Sequence, residues 1–77
     1  MALPPAHLRT SGDFGFALQQ ARMSRGLTQQ ELAALVGVPQ STVSQMESGK
    51  ATLYLYRLLA LAEATGLEFQ AIWDDHA

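Results

Sequence analysis

Apolar residues recur at helical spacing along most of the chain. Phe14, Ala17, Leu18 and Ala21 fall at i, i+3, i+4 and i+7, the stripe of an amphipathic helix. Thr10 and Ser11 are N-cap types and Asp13 suits a first helical turn. Gly26 stands where a helix stops in a left-handed residue, so a first helix is predicted from about residue 10 to Arg25. Thr28-Gln29-Gln30-Glu31 has the spacing of a capping box. It opens a short second helix with Leu32, Ala33 and Val36 inward, ended by Gly37. Val38-Pro39 restarts the chain, because proline fits the start of a helix and not its interior. A third helix is predicted over residues 40–48 with Val43 and Met46 inward, and Ser48-Gly49 closes it. Thr52 can cap a fourth helix, with Leu55, Leu58, Leu59 and Ala62 as its stripe and Gly66 as its end.

The period then changes from helical to two. Leu67, Phe69, Ala71 and Trp73 alternate with Glu68, Gln70, Ile72 and Asp74, which predicts a strand over residues 67–74. Residues 1–9 hold Pro4 and Pro5 and show no period, so they are expected to be a mobile arm. A lone strand is not stable. With no second strand in the pattern, residues 67–74 are expected to pair with their copy across a two-fold axis. The resulting antiparallel ribbon lies over the fourth helices, and Leu67, Phe69, Ala71 and Trp73 form its apolar dimerisation face. The expected division is an arm at 1–9, a helical domain at 10–66 and a dimerising tail at 67–77.

Composition narrows the class. Seventy-seven residues leave room for one small domain. A core of that size rarely supplies more than about 3–5 kcal/mol. There is no cysteine, which removes disulfides, thiolate metal sites and cysteine nucleophiles and leaves oligomerisation as the obvious support. No apolar run reaches membrane-spanning length, and the N-terminus lacks the charged and apolar regions of a signal peptide. The expectation is a cytoplasmic protein with no membrane partner. No acid–base pair, nucleophile arrangement or phosphate loop stands out, so neither enzymatic activity nor a cofactor is expected. His7 and His76 are isolated near the ends and give no metal site.

The net charge is −2, which on its face argues against nucleic acid. Its distribution changes that. Residues 1–57 carry five bases (Arg9, Arg22, Arg25, Lys50, Arg57) and three acids (Asp13, Glu31, Glu47), giving +2. Residues 58–77 carry four acids (Glu63, Glu68, Asp74, Asp75) and no base, giving −4. The two ends are suited to different partners.

The stretch from Gln29 to Ser48 places three sterically demanding residues in order: small Ala33 where a second helix crosses, Gly37 at a turn that needs positive φ, and β-branched Val43 between the helices. Leu32, Val36, Val38 and Met46 complete the inner side. This is a helix-turn-helix arrangement, whose second helix enters the major groove. The residues Leu27-Thr28-Gln29-Gln30-Glu31-Leu32-Ala33, then Val36-Gly37-Val38, then Val43-Ser44-Gln45-Met46-Glu47-Ser48-Gly49-Lys50 resemble the Cro/C1 (XRE-type) repressor family over roughly residues 13–66. The resemblance implies an all-α, lambda-repressor-like domain of four to five helices, carrying here a C-terminal strand that pairs across a dimer.

It also implies roles for single residues. Base contacts fall to Gln40, Ser41, Ser44 and Gln45. Taken alone, such polar residues are those of any solvated helix face; within this motif glutamine can bond an adenine edge bidentately and serine can serve either role. Gln29 is expected to clamp a phosphate and brace Gln40, with Thr42, Ser48, Lys50 and Arg25 as further phosphate contacts and Arg9 also free for one. Arg22 and Glu47 are expected to form a structural salt bridge. Pro39 stands where many members carry a capping serine. Beyond the motif, the pattern from Thr52-Leu53 through Gly66-Leu67-Glu68-Phe69 is similar to HipB-like antitoxins. That implies a homodimer on double-stranded operator DNA that also holds a HipA-like kinase toxin. The alternatives are a phage-like or restriction-controller repressor with no toxin partner, and a protein–protein adaptor that has lost DNA binding.

Overall fold

The computed structural model describes residues 6–50 and 52–74. Its elements in order are β1 (Ala6–Leu8), α1 (Ser11–Ser24), α2 (Gln29–Val36), α3 (Gln40–Glu47), α4 (Leu53–Thr65) and β2 (Phe69–Ala71). Pro4, Pro5, Asp75 and His76 lie outside the described residues.

Each helix start except one is closed by its own side chains. At α1 the Thr10 hydroxyl accepts from the Asp13 N–H at 3.1 Å, and the Asp13 carboxylate accepts from the N–H groups of Thr10 and Arg9 at 3.1 and 2.9 Å. At α2, Thr28 and Glu31 make the same reciprocal pair at 3.0 and 2.9 Å. At α4, the Thr52 hydroxyl accepts from the Leu55 N–H. These bonds satisfy donors that a helix leaves unpaired. Helix α3 begins at Pro39 with no side-chain cap. The turn into it is made by Gly37 at φ 84°, a left-handed conformation that glycine adopts without steric cost.

Helices α1 and α2 both pack closely on α3, while α4 stands further from the other helices. The buried residues are small: Ala17 on α1, Ala33 on α2, Val43 on α3 and Ala62 on α4, with Leu8 from β1. Gly15 is buried as well. A Cβ built there would stand 2.6 Å from the carbonyl oxygen of Glu47 and would meet that of Met46 too. Backbone of α1 therefore lies directly on the C-terminal turn of α3.

The structure corrects the expectation for the two ends. Residues 6–8 are a strand, not part of a mobile arm, and β1 pairs antiparallel with β2 in the same chain. The register joins Ala6 to Ala71, His7 to Gln70 and Leu8 to Phe69. The C-terminal strand is shorter than residues 67–74, and it does not need a copy of itself in order to pair. Its alternation holds from Phe69 onward: Phe69, Ala71 and Trp73 are half-buried and Gln70, Ile72 and Asp74 exposed, whereas Leu67 faces solvent. Phe69 meets Phe14 of α1 edge to face, with ring centroids 6.0 Å apart, an arrangement aromatic pairs favour. Val36 and Met46, expected inward, are 65% and 53% exposed. Val36 is the last residue of α2 and Met46 the last but one of α3; periodicity puts both on the apolar side and does not say how far along the helix the packing extends.

Candidate nucleic-acid interface

The inner side of α3 is fixed by Val43 and Glu47. The Glu47 side chain is only 3% exposed and is held by three donors. Arg22 Nε bonds one carboxylate oxygen at 2.6 Å, and Arg22 Nη2 and Gln29 Nε2 bond the other at 3.0 Å each. Arg22 Nη1 donates to the carbonyl of Leu27 at 2.7 Å. One guanidinium thus joins α1, the loop before α2 and the end of α3. The two parallel N–H···O bonds are the strong, geometrically specific form of an arginine–carboxylate pair. The hydrogen bonds from Arg22 hold the Glu47 carboxyl below the usual glutamate range, and burial opposes them only in part. The same bonds raise the Arg22 guanidinium above its ordinary value.

With Val43 and Glu47 turned in, Gln40, Ser41, Ser44, Gln45 and Ser48 are exposed together. Their spacing of i, i+1, i+4, i+5 and i+8 puts them on one side of the helix. The side is polar and carries no charge. Thr42, half-buried, sits beside it, and the Ser48 hydroxyl donates to the carbonyl of Gln45 at 2.8 Å. Lys50 lies just past the helix end and Arg25 just before α2, both exposed. The Gln29 amide group donates to Glu47 and so braces the salt bridge, a contact that the sequence did not point to.

Local charge follows the same logic. Asp13 and Glu31 sit at helix N-termini and accept backbone N–H groups, first Arg9 for Asp13 and Thr28 for Glu31, and both carboxyls are held below their ordinary values. Glu47 is bound to Arg22. The three acids of residues 1–57 are thus tied to the fold, whereas Arg9, Arg25, Lys50 and Arg57 are exposed. Sequence reasoning missed Gly15, although a glycine inside an otherwise regular helical stripe signals a close packing contact.

A two-helix unit with its second helix polar on the outside and locked from behind is the build of a DNA-reading domain. The helix-turn-helix family model matches residues 18–72, well over half of the chain, and the chain belongs to that family, in its Cro/C1-type branch. It is a DNA-binding transcriptional regulator, with a domain of regulatory rather than catalytic type. No curated protein and no solved structure gave a significant match. Among the described residues no helix is long and apolar enough to cross a membrane.

Proposed function

We propose that this regulator is a sequence-specific repressor that binds operator DNA as a homodimer and reads bases through Gln40, Ser41, Ser44 and Gln45. The observation that carries this reading is the uncharged polar face of α3, backed by the buried Arg22–Glu47–Gln29 cluster. A side chain reads bases well only if its helix is rigidly placed, and the cluster supplies that rigidity. Lys50, Arg25, Thr42 and Ser48 position the helix on the phosphates, a role separate from sequence reading. The test uses duplexes selected from a random library by the purified protein. Gln40→Ala is expected to weaken binding by about 1–3 kcal/mol and to relax preference at one base pair. Unchanged selection by both Gln40→Ala and Gln45→Ala would mean that other residues read the bases, and a wild-type chain that enriches no duplex would favour a protein–protein adaptor.

The dimer is supported by the sheet. Each of its two strands has one edge turned away from the other. Joining β2 to the β2 of a second copy would give four strands, which is more stable than two. Trimming residues 67–77 is expected to weaken self-association in sedimentation. The biological setting we favour is a HipB-like antitoxin that represses its own operon and sequesters a HipA-like kinase, in the cytoplasm. It is supported by the C-terminal sequence pattern and by the acidic charge of residues 58–77, which gives a protein partner a surface unlike the DNA face. A kinase-like reading frame beside this gene, whose product co-purifies with the chain, is the expected result. Its absence would leave a phage-like or restriction-controller repressor.

A further inference from the structure

The two strands part where they enter the helical domain. Their register runs from Ala6 opposite Ala71 to Leu8 opposite Phe69, and one step further it would set Arg9 opposite Glu68. That step is not taken, because both segments turn to helices instead. The Arg9 N–H donates to the Asp13 carboxylate at 2.9 Å. The Leu67 N–H donates to the carbonyl of Ala62 at 2.9 Å, past Gly66 in a left-handed conformation at φ 73°. The fork that results is closed on its third side by the last turns of α4 and holds a cavity of about 460 Å³, within the range of small-molecule sites. Its apolar surface comes from Leu8, Leu59, Ala62, Leu67 and Phe69. Leu8 and Ala62 belong to the small core, so the cavity reaches the interior of the domain at this end.

Charge is divided across the fork. His7 and Arg9 line it from the β1 side, Glu63 and Glu68 from the side of α4 and the turn into β2. Among the described residues no ion pair joins the two sides. A guanidinium and carboxylates so divided, over an apolar surface, are complementary to a molecule that itself carries both charges and an apolar group. We infer that the fork is a binding site for a small zwitterion with an apolar side chain, such as a free aliphatic or aromatic amino acid. Its carboxylate meets Arg9, its ammonium meets Glu63 and Glu68, and its side chain lies against Leu8, Leu67 and Phe69. A simple anion is repelled by the two acids and a simple cation by the arginine, so neither half of the ligand is suited to the site alone. No residue of α2 or α3 lines the cavity. The ligand binds apart from the DNA-reading face and joins β1 to α4, two elements that make little contact with each other. This inference depends neither on the dimer nor on which residues read bases.

The test is a titration of the full chain, free of DNA, with L-leucine and with L-phenylalanine, followed by amide chemical shifts in NMR. The amides of residues 7–10 and 63–69 are expected to move together and to saturate with a dissociation constant tighter than about 1 mM. Isocaproate lacks the ammonium of leucine, isoamylamine lacks its carboxylate and glycine lacks its side chain. Each is expected to bind at least about 10-fold more weakly. Arg9→Gln and the double variant Glu63→Gln/Glu68→Gln alter exposed side chains and should keep their helicity by circular dichroism. Both should weaken the leucine response by a similar factor. Failure of either amino acid to move these amides at up to about 10 mM would overturn the site. Binding of isocaproate or isoamylamine as tight as that of leucine would overturn its zwitterion chemistry. A leucine response unchanged in both variants would place the amino acid elsewhere and overturn the site as well. Shifts at these amides that follow protein concentration instead of amino acid would give the fork to a second copy of the chain, and so overturn it too.

Discussion

At the scale of single residues, Gly15 and Glu47 hold the recognition helix in place by opposite means. Gly15 does so by what it lacks. Any side chain there would drive into the Met46 and Glu47 carbonyls, which are backbone and cannot move aside cheaply. Gly15→Ala is expected to destabilise the domain by about 3 kcal/mol or more, enough to unfold much of a marginal domain; thermal denaturation followed by circular dichroism measures it. Glu47 acts through its charge. Its carboxyl is held below the usual glutamate range by Arg22, so it binds fewer protons folded than unfolded. The stability it contributes is complete above the unfolded value of about 4.3 and is lost as pH falls through the folded one. Glu47→Gln leaves the Arg22 guanidinium without its counter-charge and should cost about 3 kcal/mol at neutral pH. It should also flatten the acid limb of the stability curve below about pH 4.3. A variant that keeps the wild-type acid limb would show that another carboxylate sets it.

At the scale of elements, the helices were legible because their signals are local. Thr10 with Asp13, Thr28 with Glu31 and Thr52 before Leu55 each announce a helix start within a few residues, and the glycines at 26, 37 and 66 announce the ends. Strand β1 was not legible. Three residues, Ala6 to Leu8, are too few to show a period, and the strand they pair with lies at the other end of the chain. Missing it made β2 look unpaired and sent it to a partner subunit. Val36 and Met46 were misplaced for a different reason: periodicity gives the direction of a stripe and not its depth. The Arg22–Glu47 contact has no signature in composition or period, and only the family pattern pointed to it. The uncapped start of α3 yields a prediction at this scale. Pro39→Ser supplies the hydroxyl that the other three starts have, and is expected to raise the melting temperature through about 1 kcal/mol of capping.

At the scale of the whole molecule, charge separation sets how binding responds to salt. If Lys50, Arg25 and Arg9 neutralise phosphates in the proposed homodimer, it engages about 4–6 of them and log K should fall with log salt at a slope of about −4 to −5. Fluorescence anisotropy across a salt series measures this; a slope near −10 would require a basic surface that the chain does not have. The sheet has a consequence of its own in time. Pairing Ala6 with Ala71 closes almost the full length of the chain into one loop, whereas the capped helices form from neighbours in sequence. Loop closure is entropically costly and its contacts form late. Each strand is only three residues long, and so short a pairing opens at little free-energy cost. Their amides should therefore exchange with deuterium well before those of α2 and α3. The two strands can then part and rejoin many times while the DNA-reading unit stays folded.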